Sequence, residues 1–202
     1  MIGAVDDALR RAVREAVPDD AVAVTFEAPT KDWSARRSGP AVDLYLYDVH
    51  EVLSRRHAGR TPVVEDGRVV GVRAPQRWYA LSYLLTCWTA RPEDEHALLS
   101  ACLVGLLRHE VLPAAWLRSG GVALDQASEL QVAQPPPTDR KSPDLWSALG
   151  GELKPSLDLT VTVALDVGTV VPGGPPVTQP AVLDVQAGAV RERAAGRVPS
   201  PT

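Results

Sequence analysis

Four histidines, two cysteines and three carboxylates on one stretch are the residues of this 202-residue chain with the most obvious chemical potential. His50, His57, His96 and His109 make neither an H-x-x-x-H nor an H-E-x-x-H spacing, so no helix presents paired imidazoles to a metal. Glu93-Asp94-Glu95-His96 reads as the acidic start of a helix, where the dipole favours negative charge. His109-Glu110 reads as a helix end rather than an acid–base pair. No serine lies in a G-x-S-x-G elbow. Gly150-Gly151 precedes a charged bend and not a helix, so it is no phosphate cradle. Asp43, Asp48 and Glu51 lie on or near one predicted strand and leave a small hydrolase as a less favoured alternative. Cys87 and Cys102 sit in apolar segments and read as buried free thiols. The sequence therefore assigns no catalytic residue, no metal ligand and no cofactor.

Recognition is a better use for the remaining polar and aromatic groups. Lys31-Asp32-Trp33-Ser34-Ala35-Arg36-Arg37 joins tryptophan to arginine, the residue types enriched at interface hot spots. Within the loop, Trp33 could equally anchor its own segment. Trp146 reads as core packing. Glu152-Leu153-Lys154 forms a charged bend between two elements.

The elements that position these groups follow from periodicity. Gly3 to Val17 is an amphipathic helix with Val5, Leu9, Ala12, Val13 and Ala16 as its stripe. Its Asp6–Arg10 and Asp7–Arg11 spacings predict i,i+4 ion pairs. Ala21 to Glu27 is a strand, Ala28 to Pro40 a polar loop, and Ala41 to about Leu53 a long strand covered on two sides. Asp66-Gly67 marks a hairpin over Thr61 to Arg73, pairing Glu65 with Arg68, Val64 with Val69 and Val63 with Val70. An isolated hairpin is marginal in water, so this one should lean on another surface.

Arg77 to Thr89 is a further strand with large residues on both faces. Pro92 opens a helix whose buried face is Leu99, Cys102, Leu103, Leu106 and Leu107, and Pro113 closes the segment. Ser119 to Lys141 is irregular around Gly120-Gly121 and Pro135-Pro136-Pro137, with a short strand near Leu130 to Ala133. Asp144 is the expected N-cap of a short helix stopped by Gly150-Gly151. From Ser156 a period-two pattern places Leu157, Leu159, Val161, Val163 and Leu165 on one face. Residues 1–166 thus form one domain. The Pro/Gly-rich tail from 167 to 202 is too poor in large apolar groups to pack alone and reads as an extended arm. The fold class is α+β: one mixed or antiparallel β-sheet, helices on one face, a protruding β-hairpin and a C-terminal arm.

Composition agrees with a globular chain, at 45% hydrophobic residues and a net charge of −4. That charge gives no support for nucleic-acid binding. Lysine is scarce, at Lys31, Lys141 and Lys154, among 21 basic residues. No signal segment or apolar span is evident, so cytoplasmic synthesis and assembly is expected.

Several blocks together resemble a known family. They are Phe26 to Arg37, Val42 to Asp48, Leu81 to Thr89 with Arg91 to His96, and Asp144 to Leu159. The pattern is similar to the cap, or tube-terminator, proteins of phage-tail-like contractile injection systems, collinear over about residues 1–166. The resemblance implies a tail-terminator-like fold and no catalysis. It also implies a homo-oligomeric ring, hexameric in the family, that ends the inner tube and anchors the distal end of the sheath. The partners would be tube and sheath proteins, in a particle that stays in the cytoplasm or is released. Trp33, Arg36, Arg37, Glu152 and Lys154 are the expected subunit or tube contacts. A monomeric adaptor that takes a partner strand at a sheet edge is the alternative from another class.

Overall fold

The computed structural model describes residues 1–118, 127–134, 142–166, 168, 170–174, 182–187 and 190–195. Gly120-Gly121, Pro135-Pro136-Pro137 and the end of the tail, Arg197 to Thr202, lie outside the described residues. The elements in chain order are α1 (Ile2–Ala16), β1 (Ala23–Thr25), α2 (Lys31–Arg36), β2 (Ala41–Glu51), β3 (Thr61–Glu65) and β4 (Arg68–Arg73). Then come β5 (Arg77–Trp88), α3 (Pro92–Leu106), β6 (Val111–Leu112), β7 (Ser128–Val132) and α4 (Ser142–Ala148). The chain continues as β8 (Ser156–Leu165), β9 (Val170–Pro172), β10 (Val182–Ala187) and β11 (Val190–Ala195). The chain separates into two compact units, residues 1–58 with 75–167, and residues 59–74 with 168–202.

The first unit is built on a six-stranded sheet in the order β1-β2-β5-β8-β7-β6. Only the β1–β2 pair is parallel, so the sheet is mixed, and the α+β class holds. The longest strands, β2, β5 and β8, are neighbours. Their alternating residues Val42, Leu44, Leu81, Tyr83, Leu85, Leu157, Leu159, Val161 and Val163 face one core with the stripe of α1 and with Cys102 and Leu106 of α3. The two cysteines are buried and unbridged, as expected. Where α3 crosses α1, a Cβ on Gly105 would stand 2.1 Å from the Cβ of Ala16. No side chain fits there, so glycine sets the helix separation.

Several local expectations need correction. Asp6 and Asp7 do not form the expected i,i+4 pairs with Arg10 and Arg11. Arg10 turns back to Asp7 at 2.6 Å, and Asp6 instead accepts a 2.7 Å hydrogen bond from the Tyr83 hydroxyl. Arg10 and Arg11 stack over Phe26 and Trp116. Each guanidinium also keeps a carboxylate, Asp7 for Arg10 and Glu15 for Arg11 at 3.5 Å, so aromatic contact and exposed ion pair are made together. The polar loop at 28–40 contains helix α2, because the Thr30 hydroxyl caps the Trp33 amide. Leu107 leaves the buried face of α3 and is exposed. Asp144 is not the cap of α4 but lies in its first turn.

The second unit contains the hairpin. Asp66 and Gly67 have positive φ, at 49° and 74°, the geometry of a type I′ turn. Glu65–Arg68 and Val64–Val69 pair as expected, but a bulge makes Gly71 and not Val70 the partner of Val63. The tail is not merely an extended arm. Its β9 pairs with β4 to complete a three-stranded sheet, β3-β4-β9, and β10 and β11 pair with each other as a two-stranded sheet.

Candidate recognition face around Trp88

One end of the first unit gathers most of the residues expected to make contacts. Helix α2 places Trp33 edge-on to Trp88, with centroids 5.3 Å apart. Trp33 is only 8% exposed, so it anchors its own segment and offers little surface. Across the same ring, Lys154 Nζ lies 4.0 Å from the Trp88 centroid and Arg37 lies 5.9 Å away. Lys154 also donates to the Cys87 carbonyl at 2.8 Å and lies 2.5 Å from Glu95 Oε1. Glu95, in the first turn of α3, accepts from the Thr89 amide as well. The bend after α4 is thus tied to β5 and to the start of α3 by one inward-turned lysine.

The closure of α4 sets up that bend. Gly150 has φ 65°, its amide reaches the Ser147 carbonyl, and the Gly151 amide reaches the Trp146 carbonyl. This is a Schellman stop. Trp146 is buried, and a Cβ on Gly151 would touch its ring at 3.0 Å. Beyond the stop, Glu152 is exposed and Leu153 is 66% exposed. Pro29, Thr30, Trp88, Trp146 and Gly151–Pro155 line a cavity of about 530 Å³ beside them. Arg36 is exposed, its Nε on the Asp32 carbonyl. Arg37 donates to the Gly39 carbonyl.

The structure therefore brings Trp33, Arg37 and Lys154 together on Trp88 and leaves Arg36 and Glu152 outside. Sequence reasoning missed Trp88 as the platform and Leu153 as the exposed apolar group. The signal for Leu153 was its position between two charges, after a glycine stop and before Pro155.

The three strand carboxylates do not converge. Asp43 is buried, accepting from the Thr25 hydroxyl at 2.8 Å and the Glu27 amide at 3.1 Å. Burial pushes its pKa up to about 6 against those two bonds. Asp48 pairs with His50 at 2.6 Å, and Glu51 faces Arg56 and Arg77 at 3.1 and 3.8 Å. Each is held by its own neighbours. Among the described residues, no group of three or more His, Cys, Asp or Glu is placed to hold a metal. No described helix is long and apolar enough to cross a membrane.

With this geometry in hand, comparison with known proteins is decisive for the family. The profile of the Pvc16 N-terminal domain matches residues 4–179. The chain belongs to the Pvc16 N-terminal domain family. Its structure is similar to the sheath/tube terminator of an extracellular contractile injection system, PVC, in the extended state. That likeness has a TM-score of 0.67 and 25% identity, and covers 94% of this chain and 65% of the other. The fold is also that of the tube-terminating cap of the anti-feeding prophage, at a TM-score of 0.62 and 23% identity over 91% of this chain and 60% of that one. This member of the Pvc16 N-terminal domain family thus spans less than two thirds of the length of either solved relative. No curated protein matches it.

Proposed function

We propose that this chain is a structural cap of a contractile injection system. Six copies form a ring on the last ring of the inner tube, at the end away from the baseplate. The ring ends tube growth there and holds the distal end of the sheath. Assembly takes place in the cytoplasm. The reading assigns no catalysis. The observation that supports it is the likeness, over 94% of this chain, to a protein described as a sheath/tube terminator.

In this reading Arg36, Glu152 and Leu153 touch the tube or a neighbouring subunit. Trp33, Arg37 and Lys154 hold that surface in place by packing around Trp88. The test is to mix the purified chain with tube subunits and image the product by negative stain. Tubes should carry a ring at one end. Deletion of the gene should give particles of unregulated length or none. A chain that stays monomeric and never joins tube or sheath protein overturns the reading. Arg36→Ala with Glu152→Ala should keep the far-UV dichroism of the parent and weaken capping.

A further inference from the structure

Among the described residues, each unit exposes an apolar surface. Helix α3 has an uncharged run from Ala97 to Leu107, Ala-Leu-Leu-Ser-Ala-Cys-Leu-Val-Gly-Leu-Leu. A helix apolar on all sides is normally covered on all sides. Here Cys102, Gly105 and Leu106 are buried, whereas Val104 is 56% and Leu107 58% exposed. The close approach at Gly105 also leaves a groove of about 360 Å³ between the helices, lined by Ala16, Ala101, Val104 and Arg108 among others. On the second unit, the hairpin exposes the cross-strand pair Val64 and Val69, at 56% and 59%. Its turn carries Glu65 and Asp66, with Arg68 opposite Glu65.

We infer that the β3–β4 hairpin of one copy of this chain docks by its Val64–Val69 face into the α1/α3 groove of the next copy, with Glu65-Asp66 against Arg108. Three observations select a second copy as the occupant. The hairpin is apolar on its Val64–Val69 face and carries two acids, Glu65 and Asp66, against one cation, Arg68, at its tip, while the groove is lined by Ala16, Ala101, Val104 and Gly105 with Ser100 and is basic at Arg108. Among the described residues Arg108 has no carboxylate partner, so it is available for one. The two surfaces are different, and a closed ring needs a heterologous contact between unlike patches. Addition of a strand at the edges of the β3-β4-β9 sheet is disfavoured by Pro62 in β3 and Pro172 in β9, so the face is what remains for docking.

The inference deepens the ring proposed above and rests on it, and the experiment separates the two. The full chain and its variants are compared by sedimentation velocity and, independently, for capping of tubes. Asp66→Arg and Arg108→Asp should each weaken self-association by roughly tenfold or more, and the pair together should restore it. A Val69→Cys, Val104→Cys variant should form disulfide-linked oligomers on mild oxidation, while the parent, whose two thiols are buried, does not. Rings that persist in both single charge variants, with no cross-link in the cysteine variant, overturn the inference and leave the cap reading standing. Rings that break as predicted but never bind tubes uphold the inference and overturn the cap. A parent chain that never self-associates overturns the inference.

Discussion

Asp43 is a carboxylate set in the interior of the sheet. It lies fully buried on β2, one oxygen serving Thr25 and Glu27 and the other without a partner. Its role is to hold the short parallel strand β1, which has only three residues of ladder. Burial raises its pKa from 3.8 to about 6. Between those values the folded state keeps a proton that the unfolded chain has released. Stability therefore falls as pH rises from about 4 to about 6, and is level in this contribution above and below. The full drop is on the order of 2–3 kcal/mol. Asp6, also raised by burial and opposed by its Tyr83 bond, adds a slope of the same sign. Urea unfolding at pH 4, 5, 6 and 7 should show Asp43→Asn with a flatter profile than the parent across this window. An identical slope in both proteins would mean that Asp43 titrates normally.

At the scale of elements, Lys154 shows how a single side chain fixes a bend. Its ammonium and the Glu95 carboxylate are 16% and 19% exposed, so removing one leaves the other nearly buried and unpaired. Lys154→Ala should cost about 2–4 kcal/mol, near the lower end of what breaking a buried pair costs. Lys154→Met with Glu95→Gln should recover most of that loss in urea unfolding, because the pair is then replaced by groups that need less solvation. Equal losses in the single and double variants would show that packing, not charge, carries the bend. The strands were legible because one periodicity states both element and buried face. Leu157 to Val163 reads as a strand from its alternation and is buried on that face. The Asp66-Gly67 turn was legible because few dipeptides accept two positive φ angles. The partner of Lys154 was not legible, because Glu95 is 59 positions away and only the fold brings them together. Helix α2 was hidden because its stability comes from a Thr30 cap and from Trp33 packing on Trp88, both outside any periodic pattern. The bulge at Val70 and the pairing of β9 with β4 depend on the ladder itself, which sequence spacing does not encode.

The whole molecule divides its apolar surface unevenly, and that division predicts how it opens. The first unit buries long stretches of β2, β5 and β8 beneath α1 and α3. The sheet of the second has one buried residue, Gly71, and exposes Val64, Val69, Val70, Val170 and Val171. A three-stranded sheet needs a covered apolar face for independent stability. In the isolated chain this sheet therefore lies at the low end of local stability, and β5 lies near the global limit. Amide exchange of the monomer should be fast across β3, β4 and β9 and slowest in β5 and β8. Assembly should slow exchange in the hairpin and along the exposed face of α3 together, by about tenfold or more, if one covers the other. Protection that rises in the hairpin alone would place its partner elsewhere than on a second copy. Slow exchange throughout β3–β4–β9 in the monomer would show that this sheet needs no partner to be stable.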